Sequence, residues 1–190
     1  MHRHDEVDAI LNFWFGDVPG PAREEWFVKR PEFDALIRAR FLGLWESAAR
    51  GERANWTRSP RECLAFIVLT DQFPRNMFRG EARAFATDPM ALAAARALVA
   101  GGGDTGMLPV ERLFAYLPFE HSEMLADQDR SLVLFEPLAA FSETADTWPF
   151  ALRHREIIER FGRFPHRNAA LGRESTAEEA AFLALPGSGF

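Results

Sequence analysis

The sequence predicts an all-α fold. Three observations predict it: helix starts built on proline, glycines where those helices should stop, and apolar residues that return every three to four positions. Taken in order, the first helix is expected near 5–15, closed by Gly16, and a short helical turn follows over 23–29. Pro31 opens a helix over 31–50, whose inward stripe is Phe33, Ile37, Phe41, Leu44 and Ala48 and whose stop is Gly51. The "SPRE" run at 59–62 reads as a capping box, with Ser59 as N-cap, Pro60 at the first helical position and Glu62 three residues on. It starts a helix over 60–73 that contains "CLAFIVL". Seven continuous apolar residues also fit a buried strand, but the capping box and the lack of alternation favour a central buried helix. Pro74 is expected to break it.

"DP" at 88–89 repeats the N-cap and proline pair and opens a helix over 88–100, ended by Gly101. "GGGDTG" at 101–106 is a loop; it follows a helix and lacks the Lys-Ser/Thr pair of a phosphate-binding loop. Pro109 starts a long helix over 109–141, kinked at Pro118, with Val110, Leu113, Phe114 and Leu117 on one face. Helices over 147–162 and 175–184 complete the chain, the last opened by a capping box of Thr176 and Glu179 and preceded by a stop at Gly172. Together these make an antiparallel array of about eight helices in one domain over 1–190, with 1–4 and 186–190 flexible.

Composition narrows the class. A length of 190 residues suits one domain with a sizeable core, and 18 Phe and 5 Trp against one Tyr indicate a core filled by apolar rings. The single cysteine, Cys63, excludes an internal disulfide, sits in an apolar run as a buried small hydrophobe, and points to a reducing compartment. The N-terminus lacks the layout of a signal peptide, and no run approaches the ~20 apolar residues of a membrane span, so a cytoplasmic protein without a membrane partner is expected. A net charge of −6 argues against nucleic acid as a partner. The charge is uneven, however: Arg153 to Arg173 holds six arginines against two glutamates.

The informative residues are those that interrupt apolar stripes. Stepping from Leu117 to His121, Met124, Leu125, Gln128, Leu132 and Phe135 keeps to one helical face, so His121 and Gln128 point inward. On the 147–162 helix, His154 shares a face with Ala151, Ile157, Ile158 and Phe161. Asp71 follows Ile67 by four and Leu64 by seven. Burying such groups without partners costs roughly 2–7 kcal/mol each. They should therefore meet one another, or meet the charged groups of "RFGRFPHRN" at 160–168, where Phe161, Phe164 and Pro165 anchor and Arg163, His166, Arg167 and Asn168 line a polar cavity. "DQFPRNMFRG" at 71–80 mirrors that segment; there Asp71 and Arg75 are spaced for an ion pair, leaving Arg79 as a second, free guanidinium beside Asn76. The bland alternative is a structural network in which arginines neutralise carboxylates.

Three stretches carry a family resemblance: "LTDQFPRNMFRGEARAFATD", "FAYLPFEHSE" and "H…RFGRFPHRNAALGRESTAEEAAFL". They resemble the signature blocks of a bacterial family known as domain-of-unknown-function family 924, from about Ile10 to Leu183. The resemblance implies an all-α fold of the tetratricopeptide-like superfamily, although that repeat's consensus is not readable in the chain. It implies no activity. The family's characteristic polar positions fall on Asp71, Gln72, Arg75, Asn76, Arg79, His121, Ser122, Glu123, His154, Arg160, Arg163, His166, Arg167 and Asn168.

Three functions fit these residues. One is a pocket for a small anionic ligand, phosphate- or carboxylate-bearing, held by Arg75, Asn76, Arg79, Gln128, Arg163, His166, Arg167 and Asn168. A second is an enzyme in the same pocket, with His121 or His154 as general base, Asp71 or Glu123 orienting it, and hydrolysis as the natural reaction. The third is a helical adaptor for a protein or peptide partner, with the polar set purely structural. The inward placement of the polar set favours the first two. No cofactor motif appears. His121, Glu123, His154, His166 and Asp71 suit a metal by type, yet no HExxH or CxxC spacing joins them and the arginines repel a cation, so no metal is expected. His2 and His4 are expected to be exposed.

Overall fold

A computed structural model describes residues 3–16, 20 and 22–188. They form nine α-helical segments: α1 (Arg3–Phe15), α2 (Pro31–Ala49), α3 (Pro60–Ile67), α4 (Phe73–Met77), α5 (Asp88–Ala100), α6 (Pro109–Glu120), α7 (Leu125–Phe135), α8 (Trp148–Phe161) and α9 (Ala177–Leu183). A π turn, Val68–Gln72, joins α3 and α4 into one rod, so the described residues make eight helical rods and no strand. Short 3-10 turns fill the connections, including Glu24–Trp26 in the predicted 23–29 turn and Pro165–Arg167 in "FPHRN". The expectation of flexible ends, and of an exposed His2, falls partly outside the described residues. Within them, residues 3 and 4 are helical, His4 is exposed, and Ser188 is buried with its hydroxyl donating to the Leu183 carbonyl.

The helix starts follow the sequence signals. Pro31, Pro60 and Pro109 each open a helix. The Thr176–Glu179 box is reciprocal, with the Glu179 amide on Thr176 Oγ1 at 3.2 Å and the Thr176 amide on Glu179 Oε2 at 2.8 Å. At 88–89 the N-cap is Thr87 rather than Asp88, which leaves the Asp88 carboxylate free to face two arginines. Gly162 takes φ +67 after α8, a left-handed turn that a side chain would strain, and so redirects the chain into "RFPHRN".

Two expectations are corrected. Pro74 does not end its helix. The Phe73 amide reaches back five residues to the Val68 carbonyl, and this wider turn takes the chain into α4, with Pro74 in its first turn. Pro74 lacks the N–H that the Thr70 carbonyl would otherwise receive; the Thr87 hydroxyl donates to that carbonyl instead, and Trp45 Nε1 donates to Thr87 Oγ1 at 3.1 Å. Nor is 109–141 one kinked helix. Pro118 lies inside α6, and the break comes at 121–124. There Gln128 Nε2 donates to the carbonyls of Glu120 at 2.7 Å and Ser122 at 2.6 Å, while Ser122 Oγ accepts the Met124 amide. Side chains thus satisfy the backbone groups that a continuous helix would have paired.

Burial explains the order of packing. The main core gathers α1 to α7 and the start of α8 around aromatic contacts such as Trp14 against Phe73 and Phe114, at 5.6 and 5.3 Å between centroids. A smaller apolar group of Ile157, Ile158, Phe164 and Phe182 belongs to α8 and the C-terminal segment. α6 is buried nearly all round and packs against α3, α5, α7 and α8. The polar residues of interest lie at the seam between the two apolar groups.

Candidate functional site

The π turn, the end of α6, the middle of α8 and the Pro165–Arg167 turn meet at this seam. Asp71, fully buried, is brought there by the π turn. Its carboxylate receives His121 Nδ1 at 2.9 and 3.0 Å and Gln72 Nε2 at 2.6 Å, and Arg75 lies 3.3 Å away. Burial opposes the charge on Asp71, but Arg75, His121 and Gln72 outweigh it and hold the carboxyl below its ordinary range. Arg75 reaches across to Asp88 with two parallel bonds of 2.8 and 2.9 Å and also donates to the Asp71 carbonyl.

His121 sits one residue past the end of α6, fixed by its own amide on the Leu117 carbonyl and by the Gln128 clamp on the preceding carbonyl. Burial, then Arg75, lowers its pKa, with Asp71 opposing. At neutral pH the ring is therefore neutral. A carboxylate can only accept, so Nδ1 carries the proton and Nε2 is left as the basic atom. His154 stands beside it, with 6.3 Å between ring centroids. Its Nδ1 donates to the Phe150 carbonyl at 2.8 Å and lies 3.1 Å from Glu120 Oε1; burial and the neighbouring His121 depress it to about 3. His166 lies against Phe164 at 5.5 Å between centroids, and burial and Arg167 depress it to about 4.

Arg167 completes the group. Its guanidinium is stacked between Phe164, at 4.4 Å, and Phe85, at 4.8 Å, and its nearest carboxylate oxygen, on Asp88, is 3.6 Å away. Nε is buried without an acceptor, and the guanidinium makes no hydrogen bond among the described residues. Burial, then the charge of Arg75, lowers its pKa to about 10.

Of the twelve residues singled out from the sequence, Asp71, Arg75, His121, His154, His166 and Arg167 converge here. Glu123 stands at the edge, held by Arg173 at 2.7 Å and by the Phe164 amide at 2.9 Å. Gln128 serves backbone carbonyls. The other four point elsewhere. Asn76 and Arg79 both bind Asp34 of α2, at 2.8 and 2.6 Å, so Arg79 is not a free guanidinium. Arg163 binds Glu179 of α9 in parallel bonds of 2.6 and 2.8 Å, and Asn168 binds Ser175 and Glu179. These contacts tie segments together.

Glu120 and Asp88 belong to the cluster and escaped the stripe reasoning, as did Arg173, which holds Glu123 at its edge. Glu120 is three residues after Leu117 and seven after Leu113, so the periodicity was present. The cluster reaches solvent along Arg75, Asp88 and His121, which are 18%, 19% and 13% exposed. Two surface grooves lie elsewhere, one beside Arg96, Val99 and Asp127, the other between Glu6, Arg40 and Arg53. Among the described residues no group of three or more His, Cys, Asp or Glu is placed to hold a metal ion, and no helix is long and apolar enough to cross a membrane.

Comparison with known proteins agrees with this architecture. A solved structure titled as a protein of unknown function, ATU0120 from Agrobacterium tumefaciens, is 39% identical, with a TM-score of 0.86 over 96% of this chain and 99% of that one. No curated protein matches. The profile of the family described as "Bacterial protein of unknown function (DUF924)" matches residues 10–187, almost the whole chain, and the protein belongs to that family.

Proposed function

We propose that the seam cluster binds a small anion bearing a phosphate or carboxylate, and that the Asp71–His121 pair performs acid–base chemistry on it. Arg167 is the observation that carries this reading. A buried guanidinium without hydrogen-bond acceptors costs several kcal/mol, and a bound oxyanion would supply acceptors in the planar geometry that arginine matches. Beside it, His121 offers a neutral ring oriented by Asp71, with Nε2 ready to take a proton from water. Hydrolysis by a water so activated fits these groups. A cytoplasmic setting fits the single, buried, unpaired thiol of Cys63.

Calorimetric titration with acetate and inorganic phosphate tests the reading. Wild type should bind at least one of them. Arg167→Lys, which keeps charge but loses the fork, should weaken binding about tenfold or more, since a charge-assisted hydrogen bond is worth about 1.5–3 kcal/mol. Arg163→Ala should leave affinity unchanged, because that guanidinium belongs to Glu179. Absence of binding to wild type would defeat the proposal.

The competing reading, a helical adaptor in which the cluster only braces the fold, draws support from a different observation. Arg79, Arg163 and Arg173 are each engaged with a carboxylate, as bracing requires. It predicts loss of stability in Arg167 variants with no anion effect on wild type.

A further inference from the structure

Glu120 is the buried acidic residue at the seam that the proposed chemistry has not used. It occupies the last position of α6, directly before His121, and is 3% exposed. The Gln128 amide holds its backbone carbonyl at 2.7 Å. Of its two carboxyl oxygens, Oε1 lies 3.1 Å from His154 Nδ1, whose proton is already directed to the Phe150 carbonyl at 2.8 Å. Oε2 is buried with no hydrogen-bond partner among the described residues. A carboxylate would not be left so poorly solvated beside the ionised Asp71. A carboxylic acid would, with its O–H on Oε2 waiting for an acceptor.

We propose that Glu120 is the general acid of this site, donating from Oε2 to an oxygen of the bound anion while His121 Nε2 takes a proton from the attacking water. The inference rests on the anion-binding reading above. It specifies the substrate further, as a small anionic ester whose leaving oxygen needs a proton. The water oxygen forms its bond to the carbonyl carbon or phosphorus as its proton passes to His121. The ester bond breaks as its oxygen receives the Glu120 proton, leaving an imidazolium and a carboxylate. Return of one proton from His121 to Glu120 restores the starting state, so no other reactant is consumed. Two carboxyls a few ångströms from one histidine pair thereby hold opposite protonation states, an arrangement that separates acid from base.

The titration of Glu120 makes the proposal testable with a simple probe. Burial, then the Asp71 charge, pushes it up to about 8. The groups that face it are Asp71 from the π turn, His121 beside it and His154 from α8. Asp71 is ionised and His154 neutral throughout pH 6.5–9, and burial with Arg75 lowers His121 below its ordinary value. Acetate does not titrate in that window either. Wild-type affinity for acetate should therefore fall about tenfold between pH 6.5 and 9, as the donor becomes a repelling carboxylate. Glu120→Gln, nearly isosteric, should remove that dependence.

Difference infrared spectra of wild type against Glu120→Gln supply a second readout. They should show a protonated carboxyl stretch at pH 7 that disappears above about pH 8 and shifts when acetate is added. If acetate binds but the band is absent at pH 7 or unmoved by it, or the variant keeps the wild-type pH dependence, Glu120 is not the acid and the anion site stands without it. If neither acetate nor phosphate binds wild type, the anion site and this role fall together.

Discussion

At the scale of single residues, the seam is defined by groups whose proton affinity is shifted from its ordinary value. Asp71 is the most constrained. Replacing it with Asn removes the charge that Arg75 and His121 face, and unpairing a buried ion pair costs about 3–5 kcal/mol. Thermal melting should then fall by roughly 6–20 °C for a domain of this size. The pH dependence of stability follows from the directions of the shifts. Asp71 is depressed, so its contribution is present above about pH 4 and is lost in acid as pH falls through the folded value. His154 is depressed to about 3, so stability rises with pH up to about 6.5 on its account. Glu120 is raised to about 8 from 4.5, so the stability it contributes is fully present below 4.5 and is lost as pH climbs towards 8. Between about pH 7.5 and 8, where an unfolded histidine is already neutral, Glu120 alone of these three changes the stability, at up to about 1.4 kcal/mol per pH unit. Denaturant midpoints over that window should decline for wild type and be flatter for Glu120→Gln.

At the scale of elements, proline and the short polar side chains decide what the helices do. Prolines at 31, 60 and 109 were legible as helix starts because the first turn has no use for their missing N–H. Pro74 was misread by the same rule. The compensation for its missing N–H comes from Thr87, thirteen residues downstream, and no local pattern announces that. Thr87→Val keeps the shape but strands the Thr70 carbonyl and Trp45 Nε1. The expected cost is about 1–3 kcal/mol, seen as a lower melting temperature and faster amide exchange through the π turn. The break at 121–124 was hidden in a similar way, because Gln128 reads as an inward stripe residue until its amide is seen on three carbonyls. Glu120 went unnoticed because α6 is buried on almost every side, and a stripe identifies an inward face only where the opposite face is wet.

At the scale of the whole molecule, the seam joins a large aromatic core to a small C-terminal one. Phe161, Phe164 and Pro165 were legible as the anchor of the C-terminal segment, yet its arginines divide into two kinds. Arg163 and Arg173 brace the tail against Glu179 and Glu123, whereas Arg167 turns inward between two rings. Sequence spacing gives all three the same appearance, and only burial separates them. Arg163→Ala should therefore uncover Glu179 and loosen α9, with amide exchange rising over 177–183 while the Asp71–His121 region stays protected.

The proposed function requires His121 to be a neutral base, oriented by Asp71, facing an anion held by Arg167. Nitrogen NMR of the histidine rings at pH 7 addresses it directly, with the His121 signals assigned through His121→Gln. The expected result is a neutral His121 protonated on Nδ1, with an unprotonated Nε2 whose resonance moves when acetate or phosphate is added and stays still in Arg167→Lys. An imidazolium, a proton on Nε2, or a ring indifferent to saturating anion would contradict it.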